Sequence, residues 1–109
     1  MLFTKDERDG KVIIRCEGRL DAMSSPQLEE SLNAIIDDKH NRILIDFSKV
    51  DYLSSAGMRL LLSITKRLNT AGGQLSIFAM HDDVMEIIRM AGFDHILKIF
   101  PDEESALSA

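Results

Sequence analysis

Short apolar runs separated by amphipathic stretches constrain this chain more than any other feature. Val12-Ile13-Ile14, Ile43-Leu44-Ile45 and Leu75-Ser76-Ile77-Phe78-Ala79 read as strands. Each is followed by a stretch whose apolar residues recur with helical spacing. In chain order the reading is β-β-α-β-α-β-α-β-α. Strands that alternate with helices predict an α/β domain with a mostly parallel central sheet, right-handed crossovers and helices packed on the sheet.

Residues Leu2 to Arg8 and Lys11 to Glu17 flank Asp9-Gly10, a dipeptide suited to a tight hairpin. This predicts an N-terminal antiparallel strand on the sheet edge, with the second strand inside. Gly18-Arg19-Leu20-Asp21 then leaves that strand. Ser24-Ser25-Pro26-Gln27 opens a helix, with serine as cap and proline in the first turn. Its inner face is Leu28, Leu32, Ile35 and Ile36.

Arg42 to Phe47 reads as a central strand buried on both faces, and Ser48 to Ser55 as the loop after it. In the next helix Gly57, Leu60, Leu61, Ile64 and Leu68 share one face, opposite Arg59, Ser63, Lys66, Arg67 and Thr70. Ala71-Gly72-Gly73 ends it. A strand over Gln74 to Met80 follows, then a helix capped by Asp82, with Val84, Ile87, Ile88 and Ala91 inward and Gly92 closing it. Ile96 to Phe100 predicts a last strand, and Pro101-Asp102-Glu103-Glu104 starts an acidic helix brief enough to fray.

A chain of 109 residues without repeats or linkers is expected to form one domain over residues 1–109. The formal charge of −5, with no block of Lys and Arg, argues against a nucleic-acid binder. Cys16 is the only cysteine, so no internal disulfide forms, and a reducing cytoplasmic setting is the simplest expectation. No apolar run approaches the ~20 residues that span a bilayer, and no export signal is evident, so direct membrane insertion is not expected.

Enzymatic readings fit the residues poorly. A serine hydrolase of this topology needs Gly-x-Ser-x-Gly at the strand-to-helix turn, whereas the chain has Leu53-Ser54-Ser55-Ala56-Gly57. His40, His81 and His95 are scattered, without an evident acidic partner by spacing, and read as surface or loop residues. The glycine pair Gly72-Gly73 follows a helix instead of preceding one, which excludes a P-loop. Asp46 and Asp51 lack a third metal ligand nearby in sequence. A phospho-aspartate receiver would want an acidic pair after its first strand and a late lysine, and neither stands in the expected place. No catalytic residue, cofactor or metal is therefore expected.

What remains is the pair Ser54-Ser55 at the start of the second main helix. Free backbone N–H groups and the helix dipole favour negative charge there. Either serine could cap the helix, leaving the other to present its hydroxyl to solvent. A phosphate on that hydroxyl would add roughly −1.5 to −2 charges without refolding the helix, making an on/off device for binding. From Ser55 the stripe i, i+3, i+4, i+7 holds Met58, Arg59 and Leu62. Met58 and Leu62 lie at the border of the core stripe, open to reading as a docking surface or as peripheral core.

On Leu53-Ser54-Ser55-Ala56-Gly57-Met58 after its strand, Gly18-Arg19-Leu20-Asp21 after the second strand, and the element order, the chain resembles the STAS domains of bacterial anti-sigma factor antagonists. The resemblance covers nearly the whole chain. It implies a non-enzymatic switch in partner-switching signal transduction that regulates transcription. A serine protein kinase, often itself the anti-sigma factor, phosphorylates a loop serine, and a serine phosphatase reverses it. The unmodified antagonist binds the kinase and the phosphorylated form lets go.

By position the acceptor is Ser55, with Ser54 the alternative, since Ser54 stands where the family commonly has aspartate. The resemblance assigns Asp21 a supporting role near the acceptor. The surface expected to meet the partner is Asp21, Ser54, Ser55, Gly57, Met58, Arg59 and Leu62. STAS domains also serve as accessory subunits of lipid or anion transport complexes and in switches outside sigma control. The chain starting and stopping with the domain is expected to weigh against a transporter appendage.

Overall fold

Asp9 and Gly10 both adopt positive φ, 53° and 76°, the geometry of a two-residue turn whose twist matches the strands it joins. In the computed structural model, which describes residues 1–109, this turn joins β1 (Leu2–Arg8) to β2 (Lys11–Leu20). There follow α1 (Ser25–Asp37), β3 (Arg42–Leu53), α2 (Ser55–Thr70), β4 (Gln74–Phe78), α3 (Asp82–Met90), β5 (Lys98–Phe100) and α4 (Glu103–Ser108). The sheet order is β1-β2-β3-β4-β5, with β1 antiparallel and all other pairs parallel. Element order and sheet type match the sequence reading.

One sheet face carries Val12, Ile14 and Cys16 of β2, Ile43, Ile45 and Phe47 of β3, and Leu75 and Ile77 of β4. Against them pack Leu28 and Leu32 of α1, Leu61, Ile64 and Leu68 of α2, and Val84 and Ile88 of α3. The other face is covered by α4 alone, where Ala106 and Leu107 pack on Ile13, Leu44 and Phe78. A six-residue helix is marginal by itself. Here Asp102 caps it, accepting from the Ser105 N–H at 2.8 Å, and Glu103 takes Arg15 at 2.8 Å and also pairs with Arg8. Tertiary contacts thus hold the segment expected to fray.

Several boundaries differ from expectation, each for a local reason. Instead of leaving the strand at Gly18, β2 continues to Leu20, and β3 runs to Leu53 instead of ending at Phe47. The expected loop over 48–55 is therefore mostly strand. Relative to β2, β3 carries two extra residues, one between Asp46 and Lys49 and one between Val50 and Tyr52. These are bulges, which bend and re-aim a strand. They explain why Phe47, Val50 and Leu53, spaced by three, all reach the same core although strand side chains alternate with period two.

β4 ends at Phe78 and not at Met80, because Ala79 takes φ 59° and donates its N–H to the Phe100 carbonyl at 3.2 Å. β5 begins at Lys98, two residues after Ile96. The cap of α3 is His81, not Asp82, and Ala91, expected inward, is exposed. Ser24 occupies the cap position of α1 but makes no side-chain cap bond. Its hydroxyl turns back to donate to the Arg19 carbonyl at 2.7 Å.

Candidate functional site at the mouth of the second main helix

The second bulge determines what the ends of β2 and β3 share. Beyond it Arg19 pairs with Tyr52 and Leu20 with Leu53. Leu53 enters the core, and the chain then turns at one residue, Ser54, whose N–H donates to the Leu20 carbonyl at 2.9 Å. The carboxyl ends of these two strands are thus hydrogen-bonded to each other.

Ser54 has extended backbone angles, φ −88° and ψ 172°, and its hydroxyl oxygen accepts from the Gly57 N–H at 3.2 Å. Its carbonyl accepts from the Met58 N–H at 2.9 Å. These are the bonds of an N-cap residue. The open question of which serine caps is settled for Ser54. Ser55 is the first residue of α2, exposed, and its hydroxyl has no hydrogen-bond partner in the protein. The amides of Ser55 and Ala56, too early in the helix for an intrahelical acceptor, remain beside it.

Gly57 allows the helix to start this close to β2. A Cβ there would lie 2.8 Å from both the Leu20 carbonyl oxygen and Leu20 Cγ, and 2.9 Å from Leu53 Cδ1. Met58, left open between docking surface and core, is 7% exposed and belongs to the core. Leu62 is half-buried against the same core, and Arg59 is exposed. Of the residues expected to face a partner, Gly57 and Met58 therefore offer no outward surface.

Asp21 follows Leu20 directly. Its Oδ1 accepts from the N–H groups of Met23 at 3.0 Å and Ser24 at 3.1 Å, closing a tight turn ahead of α1. The Ser24 N–H chiefly, then the Met23 N–H, the Ser24 hydroxyl and the Arg19 charge, hold its carboxyl below the usual carboxylate range. Asp21 therefore adds a fixed negative charge beside the helix mouth.

Sequence reasoning missed two neighbours. The Arg19 guanidinium lies 4.0 Å from the Tyr52 ring centroid and 3.8 Å from Asp21 Oδ2, stacking on one and pairing with the other. The contact exists only because the bulge puts residue 19 opposite residue 52, and no local pattern signals it. Met23, 86% exposed, stands on the same turn. A groove of about 330 Å³ opens between the starts of α1 and α2, lined by Ala22, Ser25, Pro26, Glu29, Ala56 and Arg59 among others.

None of the three histidines hydrogen-bonds either serine. His81 Nε2 lies 2.6 Å from the Ser48 carbonyl oxygen. His40 and His95, for which spacing suggested no acidic neighbour, sit 3.6 Å and 3.7 Å from Asp38 and Asp94 at the surface. Asp46 is 3.1 Å from Arg15. No group of three or more His, Cys, Asp or Glu is gathered as metal ligands, and no helix is long and apolar enough to cross a membrane.

The family model of the STAS domain matches residues 3–106. BtrV of Bordetella bronchiseptica, a protein assigned as an anti-sigma factor antagonist, is 32% identical over 109 residues, covering 100% of this chain and 94% of its own. A Thermotoga maritima protein with the same assignment superposes with a TM-score of 0.92 at 19% identity, over 97% of this chain and 92% of the other. The Bacillus cell fate determinant SpoIIAA in its phosphorylated form superposes with a TM-score of 0.75 at 19% identity, over 98% and 97% of the two chains.

Proposed function

The chain belongs to the STAS domain family, and from that premise we propose that it is an anti-sigma factor antagonist controlled by phosphorylation of Ser55. Unmodified, it binds an anti-sigma factor that is also a serine kinase, and so regulates transcription. Phosphorylated, it lets go, and a serine phosphatase restores it. The protein is the substrate of this chemistry and not its catalyst.

One observation carries the choice of residue: Ser54 is engaged as the helix cap while Ser55 is exposed with its hydroxyl unbonded. An acceptor serine must reach a kinase active site without breaking the fold, and Ser55 meets that requirement. In the transfer, the Ser55 oxygen bonds to the terminal phosphorus of a nucleoside triphosphate held by the kinase. The bond to the leaving diphosphate breaks, and the hydroxyl proton passes to a base of the kinase.

Release follows from charge. A phosphate of roughly −1.5 to −2 would stand at the helix mouth beside the Asp21 carboxylate, on a surface that a partner must desolvate. Arg59, Leu62 and the rim of the groove complete the partner-facing surface. Titrating the anti-sigma factor calorimetrically into unmodified and phosphorylated protein tests this. Phosphorylation is expected to weaken binding roughly tenfold or more. Equal affinities for the two forms would refute the switch.

A further inference from the structure

Three cations lie on the exposed surface of α2: Arg59, Lys66 and Arg67. Arg67 is committed to α1, donating to Asn33 and pairing with Asp37. Near the helix mouth, Arg19 is committed to Asp21 and the Tyr52 ring, while Lys49, further back on β3, lies 3.7 Å from Glu17. Arg59 makes neither an ion pair nor a hydrogen bond, although it lines a groove that also contains Glu29. It is the one uncommitted cation within a helical turn of Ser55.

We propose that Arg59 is the internal counter-cation of phosphorylated Ser55, reaching back one turn to grip the phosphate. This deepens the reading of Ser55 as the acceptor and rests on it. Residues i and i+4 lie on one helix face, one above the other, and side chains on a helix lean toward its N-terminus, so Arg59 leans toward residue 55. An anion N-terminal to a cation at this spacing is the favourable order. The guanidinium fork fits two phosphate oxygens at once.

The remaining charged groups at the mouth do not replace it. Asp21 and Glu29 repel a phosphate, and Arg19 is held by Asp21 and Tyr52. Phosphorylation therefore does two things to the docking surface. It places a dianion there, and it withdraws from the partner the free guanidinium that the unmodified surface offers.

The test uses full-length protein with phosphoserine installed at position 55 by codon reassignment, so that it does not depend on any kinase. The second ionisation of the phosphate is followed by phosphorus NMR in wild type, Arg59→Gln, Arg59→Lys and Lys66→Gln. Arg59→Gln is expected to raise the phosphate pKa by roughly half a unit, Arg59→Lys by less, and Lys66→Gln not at all. The Arg59 Nε–H resonance is expected to shift between the unmodified and phosphorylated proteins. The same phosphate pKa in wild type and Arg59→Gln would overturn the proposal, as would an equal shift in Lys66→Gln. A kinase that ignores Ser55 would instead refute the acceptor assignment and leave this measurement standing.

Discussion

Gly57 approaches Leu20 so closely that no side chain fits between them: a methyl group there would lie 2.8 Å from both the carbonyl oxygen and Cγ of Leu20. The same carbonyl receives the Ser54 N–H at 2.9 Å. One peptide group at the end of β2 therefore determines both where α2 begins and how closely it sits. Ser55 is presented from that junction.

Replacing Gly57 with alanine tests the junction. Alanine improves helix propensity by up to about 1 kcal/mol, whereas overpacking against a backbone oxygen costs about 1–3 kcal/mol. The clash is with main chain as well as side chain, so the cost prevails. Gly57→Ala is expected to be destabilised by about 1–2 kcal/mol in urea unfolding, with the slope unchanged. Stability at or above wild type would show that α2 can slide off Leu20.

The two serines are expected to separate cleanly by stability. Ser54→Ala removes the bond to the Gly57 N–H and is predicted to cost about 1 kcal/mol, while Ser54→Asp restores a cap and most of that loss. Ser55→Ala removes a hydroxyl that bonds nothing, and is expected to stay within about 0.5 kcal/mol of wild type. Thermal denaturation of the three variants checks this. A larger loss for Ser55→Ala than for Ser54→Ala would reverse the roles.

Much of this was legible in the sequence, and the failures share a cause. Strand and helix order follows from patterns confined to single segments, and those survive folding. The length of β3 was not legible, because Ser48, Lys49, Asp51 and Tyr52 read as a polar loop while two bulges break the alternation that marks a strand. The trace left by the bulges was the spacing of Phe47, Val50 and Leu53. Arg19 over Tyr52 depends on the register those bulges set, so only the sheet reveals it. Periodicity put Met58 on the border of the core, and burial resolved it inward.

α4 connects stability to pH. Hydrogen bonds from Arg15 and then Arg8 hold the Glu103 carboxyl below its ordinary value of 4.5. A carboxyl depressed in the folded state stabilises the fold above its unfolded pKa, and that contribution fades as pH falls through the folded value. Stability is therefore expected to drop below about pH 4.5, where the unfolded chain takes up the proton first. Glu103→Gln should be less stable than wild type at pH 7 and show a shallower acid loss. Urea titrations between pH 7 and pH 3 compare the slopes, and parallel curves for the two proteins would contradict the assignment.

Cys16 is buried in the main core, and burial, with a smaller contribution from the Asp46 charge, pushes its thiol up to about 12. Since the thiolate is the reactive form, the folded protein is expected to resist a thiol reagent at pH 8. Labelling should follow unfolding in urea. Prompt labelling without denaturant would mean that the core opens around β2.

Whether Ser55 is the acceptor is decided by mapping the modified site after reaction with the cognate kinase. Wild type, Ser54→Ala and Ser55→Ala are each incubated with kinase and ATP, and the modified residue is located by mass spectrometry. A single phosphate is expected on Ser55 in wild type and in Ser54→Ala, and none in Ser55→Ala. A phosphate on another residue, with Ser55→Ala still a full substrate, would contradict it.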